Sequence, residues 1–296
     1  MQCEFKGSYV ALPTPFTGGE VDYPALEKLI DFHVHRGSDG LVSVGTTGEG
    51  ATLSDYERRS VIEFTIVKAR KRLPVIAGVG TNNTAQSAEL CRFAAAVGAS
   101  GVLAVTPYYN KPTQRGLVAH YGALGEASPI PIVLYNVPSR TGCDMKPATV
   151  AEVRAAHPNV VAIKEASNSI GRAREIADSS DIALIAGEDG LIADFMALGA
   201  VGVIGVVANV APREVAELCR VARPGGDPIR SAELEAWLQP LVRDLFIETN
   251  PAPVKAALAA MKLCSAELRL PLVGLERENL EQLNATLNEA GLLHRV

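Results

Sequence analysis

Short apolar, β-branched runs recur along the chain, with amphipathic segments between them. The runs are Tyr9–Leu12, Leu41–Val44, Val75–Gly78, Val102–Val105, Ile132–Tyr135, Val160–Lys164, Ala183–Ala186 and Val201–Ile204. The intervening segments carry helix-start signals, because a side-chain oxygen just before a helix can accept one of its unpaired N–H groups. Asp22 opens one helix, Ser54 a second with Glu57 three residues later as a capping box, and Thr84 a third. Arg36-Gly37, Val97-Gly98-Ala99 and Leu198-Gly199-Ala200 end helices and lead into the next strand. Strands alternating with helices in this way predict an α/β protein, a (β/α)8 TIM barrel. A doubly wound open sheet would place a glycine-rich phosphate loop after its first strand, where this chain has Pro13-Thr14-Pro15.

The pattern changes after Arg223. Pro224-Gly225-Gly226-Asp227-Pro228 is a break, and only helical patterns follow, over Ser231–Glu248, Ala252–Met261 and Glu276–Gly291. The expected division is therefore a barrel domain over 1–223 and a C-terminal helical region over 224–296 packed on it.

Composition narrows the function classes. The 296 residues are 48% hydrophobic and 21% charged, which suits a globular protein with a large core. A net charge of −5 with no basic run argues against nucleic acid. The most apolar stretch, Val201 to Ala211, is too short to span a bilayer. The opening phrase Met1-Gln2-Cys3-Glu4-Phe5-Lys6 lacks the pattern of a signal peptide, so a cytoplasmic location is expected. Five scattered cysteines without a C-x-x-C spacing read as reduced thiols, neither a disulfide framework nor a zinc site. His33 and His35 stand two apart, so on a helix they face different directions, and no metal is expected.

Candidate chemistry collects where these strands end, the end of a barrel that carries active sites. Strand two is followed by Gly45-Thr46-Thr47-Gly48-Glu49, strand four by Thr106-Pro107-Tyr108-Tyr109-Asn110, and strand five by Tyr135-Asn136-Val137-Pro138-Ser139-Arg140-Thr141. Strand six ends in Lys164-Glu165 and strand seven in Gly187-Glu188-Asp189. Among nine lysines, Lys164 alone ends an apolar strand; the others fall near helix faces, turns or termini, where an ammonium stays wet. An amine attacks a carbonyl only when neutral, so a free lysine with a pKa of ~10.4 needs desolvation, which a barrel mouth offers. Arginine could not take that role, because it keeps its proton. A solvent-reaching lysine paired with Glu165 is the plainer alternative.

The glycine motifs are less specific. Gly45–Glu49 could cradle a phosphate, a carboxylate or a proton relay. Gly78-Val79-Gly80-Thr81-Asn82-Asn83 lacks the third glycine of a dinucleotide fingerprint and follows the third strand, so no NAD site is expected. With aromatics at 5%, an exposed Tyr108-Tyr109 pair points to function or an interface.

Together, Gly45-Thr46-Thr47-Gly48-Glu49, Tyr135-Asn136-Val137-Pro138-Ser139-Arg140-Thr141-Gly142 and Ile163-Lys164-Glu165-Ala166 resemble the dihydrodipicolinate synthase family, in order and spacing, from about Val10 to the last helix. The resemblance implies a (β/α)8 barrel with a C-terminal helical extension and a class I aldolase-type condensation of pyruvate with aspartate semialdehyde. No cofactor would be needed beyond the covalent lysine–pyruvate imine on Lys164, and the pathway would be diaminopimelate and lysine biosynthesis. It further implies Tyr135 as general acid/base, and Thr46 and Tyr109 as its relay, with Tyr109 coming from the neighbouring subunit of a tight dimer within a homotetramer. Thr47 would hold the pyruvate carboxylate, and Gly187 and the main chain of Ile204 would line the pocket. Arg140 suits bidentate binding of the second substrate's carboxylate. N-acetylneuraminate lyases of similar sequence usually lack that arginine and have Ser-Thr in place of Thr46-Thr47. Another pyruvate-dependent lyase, or a barrel kept as a keto-acid sensor, are the alternatives; an intact set of Lys164, Tyr135, Thr46, Tyr109 and Arg140 counts against the sensor. Members inhibited by lysine bind it near the positions of Tyr108, Asn82, Gln86 and Arg58, usually with glutamate and histidine at the last two. Gln86 and Arg58 thus predict weak or absent inhibition.

Overall fold

The computed structural model describes residues 3–293, so Met1 and Gln2 of the opening phrase lie outside the described residues. The strands are β1 (Gly7–Ala11), β2 (Phe16–Thr17), β3 (Glu20–Val21), β4 (Gly40–Ser43), β5 (Val75–Gly78), β6 (Gly101–Val105), β7 (Ile132–Asn136), β8 (Val160–Glu165), β9 (Ala183–Ala186) and β10 (Gly202–Gly205). Strands β1 and β4 to β10 form a closed parallel barrel in which each pairs with the next in sequence and β10 returns to β1. The expected barrel is borne out, and each apolar run lies on its strand to within two residues at either end. Strands β2 and β3 form a hairpin that the apolar runs do not announce. Two-residue strands are too short for periodicity; the signal lies in Gly18 and Gly19, both at positive φ as a tight hairpin turn requires.

Helix starts follow capping chemistry. Asp22 and Ser54 cap as expected, with the Glu57 capping box complete. The third cap is Asn83, not Thr84: its side chain accepts from the amides of Ala85 and Gln86, and Thr84 is the first helical residue. The C-terminal helices are Pro228–Asp244, Ala252–Ala260 and Arg277–Glu289; the first starts earlier than expected because Asp227 caps it and Pro228 suits a first turn. The last of them packs on the other two, and the first also packs on the last barrel helix, Pro212–Val221. Among the described residues, no helix is long and apolar enough to cross a membrane.

The barrel wall separates two apolar layers. Tyr9, Val42, Ile76, Leu103, Val133, Ile185 and Ile204 fill the interior, whereas Val10, Leu41, Ala77, Ala104, Leu134 and Val203 face the helices. Strict alternation breaks once, on β8. Val161 and Ala162 both belong to the inner layer, between Val160 and Ile163 in the outer one. The register with β7 moves accordingly, from Ile132 opposite Val160 to Val133 opposite Ala162. One extra residue in a strand reverses the face of every residue after it. This bulge turns Lys164 inward; unbroken alternation from Val161 would aim it at the helices.

Candidate active site

The bulged register places Tyr135 directly opposite Lys164 on neighbouring strands. Both side chains point into the barrel, 6% and 7% exposed, with the Lys164 Nζ 4.4 Å from the centre of the Tyr135 ring. Behind them, on the helix-facing side, Asn136 and Glu165 are paired. The Asn136 amide donates to Glu165 Oε2 at 3.1 Å and to Asp144 Oδ1 at 3.0 Å, and Arg172 grips Asp144 with two nitrogens at 2.8 and 3.0 Å. Burial pushes the Glu165 carboxyl above its usual range, opposed by hydrogen bonds from Ser167 and Asn136. This network fixes the ends of β7 and β8, and hence the approach of phenol to amine.

Above that pair lies a cavity of about 190 Å³ lined by Thr46, Thr47, Tyr135, Arg140, Lys164, Gly187 and Ile204. Seven of the eight residues expected from the sequence thus share one space. Thr47 is buried, and its Oγ1 accepts a hydrogen bond from the Asn250 amide at 3.0 Å, leaving its own proton to donate. Gly187 has to be glycine: a Cβ there would stand 2.6 Å from the Cβ of Ala166 and 2.7 Å from the Glu165 carbonyl. Ile204 closes the floor from β10, whose end is tied down by buried Asp189, which accepts from the amides of Val206 at 2.8 Å and Val207 at 3.2 Å. Arg140 is exposed at the rim on the short helix Pro138–Thr141. A second cavity of about 340 Å³ shares Thr46, Tyr135, Arg140 and Asn250 with the first and opens past Tyr108 and Arg58.

Tyr109 is the residue that the chain does not bring in. It lines neither cavity, is 87% exposed, and sits in the left-handed region at φ 72°. The tyrosines are therefore not an equally exposed pair: Tyr108 is half-buried along the second cavity, and Tyr109 projects alone.

The other lysines are not all solvated as expected. Lys255 does not stay wet on its helix face; its side chain is 0% exposed and meets Glu49 Oε1 at 2.6 Å. Burial lowers its pKa, opposed by Glu49. It lines neither cavity; among the described lysines only Lys164 does.

Glu188 and Asn250 line the cavity without a role assigned from the sequence. Glu188 lines the smaller cavity, its carboxyl raised by burial against the pull of Lys164 and Arg140. Its place after β9 was visible, but its aim was not. Asn250 comes from beyond the barrel and lines both cavities, with a buried Oδ1 that has no hydrogen-bond partner. Nothing in the local sequence connects Asn250 to Thr47, which is about 200 residues away in the chain, since such closures are tertiary.

Elsewhere, His33 Nδ1 pairs with Ser38 Oγ at 3.0 Å inside the core, while His35 turns back to the Asp31 carbonyl. No cluster of three or more His, Cys, Asp or Glu side chains suited to a metal occurs among the described residues.

Residues 4–290 match the model of the dihydrodipicolinate synthetase family. A 4-hydroxy-tetrahydrodipicolinate synthase of Persephonella marina is 45% identical, covering 98% of this chain and 99% of its own. One from Geobacter metallireducens is 48% identical over 98% of this chain and its whole length. The crystal structure of dihydrodipicolinate synthase from Aquifex aeolicus superposes with a TM-score of 0.96 at 45% identity, covering 99% of this chain and 100% of that one.

Proposed function

Because this chain belongs to the dihydrodipicolinate synthetase family, we propose that it condenses pyruvate with aspartate semialdehyde through an imine on Lys164, giving 4-hydroxy-tetrahydrodipicolinate for diaminopimelate and lysine synthesis. The convergence of Lys164, Tyr135, Thr46, Thr47 and Arg140 on one small cavity carries this reading. Neutral Nζ attacks the keto carbon of pyruvate and water leaves, forming the imine. Tyr135, whose ring lies against the amine, moves the protons, and Thr46 relays them. A phenol with a pKa of ~10 is a poor lone base, so a hydrogen-bonded relay is needed to spread its transient charge. Loss of a methyl proton gives the enamine, whose carbon bonds to the aldehyde carbon. The amino group of the second substrate then displaces Nζ, closing the ring and freeing Lys164.

Substrate groups match the cavity walls. The Thr47 hydroxyl is left free to donate to the pyruvate carboxylate, Gly187 and the Ile204 main chain line the floor, and Arg140 forks the second carboxylate. Glu188 and the unpartnered Asn250 Oδ1 suit the ammonium of aspartate semialdehyde. Glu188→Gln is expected to raise KM for the semialdehyde about 10-fold or more, the scale of a lost charged hydrogen bond, with pyruvate KM little changed. The same KM should rise as pH falls through the raised Glu188 pKa, since the carboxylate must be ionised to hold an ammonium. Steady-state kinetics across pH check both, and an unchanged KM in Glu188→Gln would remove Glu188 from the subsite.

The reading needs no metal or organic cofactor and places the protein in the cytoplasm. It makes the barrel, 1–223, and the helical region, 224–296, one catalytic unit, because Asn250 reaches the cavity from the second. The assembly is a homotetramer built from tight dimers, in which Tyr109 completes the relay of its neighbour; its exposed phenol on a strained backbone supports that role. Exposed Leu270 and Val273, flanking Pro271 and Leu272 of the larger cavity, give a partner apolar surface to cover. Lysine should inhibit weakly or not at all. Arg58 projects a positive charge into the larger cavity while donating to the Gly50 carbonyl at 2.6 Å, and Gln86 offers no negative charge to an ammonium. An inhibition curve with a midpoint below about 1 mM, roughly 4 kcal/mol of binding, would contradict this. Turnover of aspartate semialdehyde compared with N-acetylmannosamine tests the substrate assignment; preference for the sugar would overturn it.

A further inference from the structure

The loop that carries Thr46 and Thr47 is held in a conformation it would not keep alone. It leaves β4 through Val44 at φ 57° and ends at Glu49 at φ 52°. A β-branched residue at positive φ is a strained outlier that persists only when its surroundings over-determine it. One wall is bare backbone: a Cβ on Gly78 would stand 2.2 Å from the Val44 carbonyl oxygen. Thr14 adds a tie, its hydroxyl donating to the Gly48 carbonyl at 2.7 Å.

Further ties come from the C-terminal region. Glu49 is buried, with Oε1 accepting from Lys255 Nζ at 2.6 Å and Oε2 from the Arg269 amide at 3.1 Å. Lys255 Nζ lies 4.2 Å from the Phe16 ring centre and the Arg269 guanidinium 4.4 Å, so the hairpin aromatic is packed against both cations. Lys255 belongs to the helix Ala252–Ala260, which follows Asn250 almost at once, and Asn250 donates to Thr47 Oγ1. One segment thus grips the loop in its middle and at its end. A buried ion pair is a poor way to gain stability, because apolar residues of the same volume often do as well. What it supplies is a fixed distance and direction between two elements.

We propose that Lys255 and Glu49 are positioning residues, through which the C-terminal helical region sets the Gly45–Glu49 loop and holds the Thr46 and Thr47 hydroxyls at Lys164. The inference rests on the imine chemistry proposed above. It makes the helical layer a part of the catalytic apparatus, not only a cover for the barrel.

The test uses full-length protein whose wild type first traps pyruvate on Lys164 with borohydride; failure at that step would overturn the proposed function, not this inference. Lys255→Met strands the Glu49 carboxylate and should lower Tm. In Glu49→Gln/Lys255→Met no buried charge is stranded, so Tm should recover. Its trapping rate and kcat/KM for pyruvate should nevertheless stay on the order of 10-fold to 100-fold low, the scale of a small misplacement at a reacting centre. Glu49→Gln/Lys255→Gln, which can keep an amide–amide hydrogen bond, should regain much of that rate. Wild-type trapping and kcat/KM in the methionine double variant would overturn the proposal, as would losses that track only the folded fraction. Equal rates in the two double variants would also overturn it.

Discussion

Lys164→Met should abolish condensation and leave a folded barrel, with kcat/KM lower on the order of 10⁴-fold or more, the scale seen when a nucleophile is removed. Methionine keeps an apolar stem of similar length and needs no charge solvated, so Tm should hold or rise. The separation of activity from stability is the diagnostic part. Lys164 is 7% exposed at the cavity while Lys255 is fully enclosed with Glu49, so among the described residues no other buried lysine can take over. Initial rates and a thermal melt check the expectation; retained activity above about 1% would require a different nucleophile.

Tyr135→Phe should cost about 10²-fold to 10⁴-fold in kcat, the range of general acid–base catalysis. The phenyl ring that lies 4.4 Å from Nζ stays in place, so Lys164 keeps its apolar neighbour and its position. Only the proton route is lost. Borohydride should still trap pyruvate on Lys164 in this variant, but more slowly, and time-resolved trapping separates slow imine formation from a misplaced amine. A loss below about 10-fold would hand the proton transfers to another group.

The barrel was legible because its strands are apolar, evenly spaced and separated by capped helices, and because the first βα turn lacks a phosphate loop. The chemistry at the rim was legible for a related reason: Thr46, Tyr135, Arg140 and Lys164 interrupt apolar patterns at strand ends, where packing alone gives them no place. Three features were hidden by their tertiary origin. The facing of Lys164 depends on a bulge at Val161–Ala162, and a continuous apolar run cannot reveal which way its residues point. Lys255 sits in an alanine-rich helix that offers no sign of Glu49 waiting opposite. Asn250 falls in a loop outside the barrel pattern, and only folding brings it to Thr47. The cap at Asn83 is a smaller lesson: of two adjacent capping residues, the one with extended backbone takes the role.

Every later step depends on the imine that Lys164 forms with pyruvate. Incubation with pyruvate and borohydride, followed by peptide mass mapping, addresses it most directly. The expected result is one modified peptide, spanning Lys164 and heavier by pyruvate less one water plus two hydrogens. An unmodified Lys164 peptide, or the adduct on another lysine, would rule out Lys164 as the nucleophile.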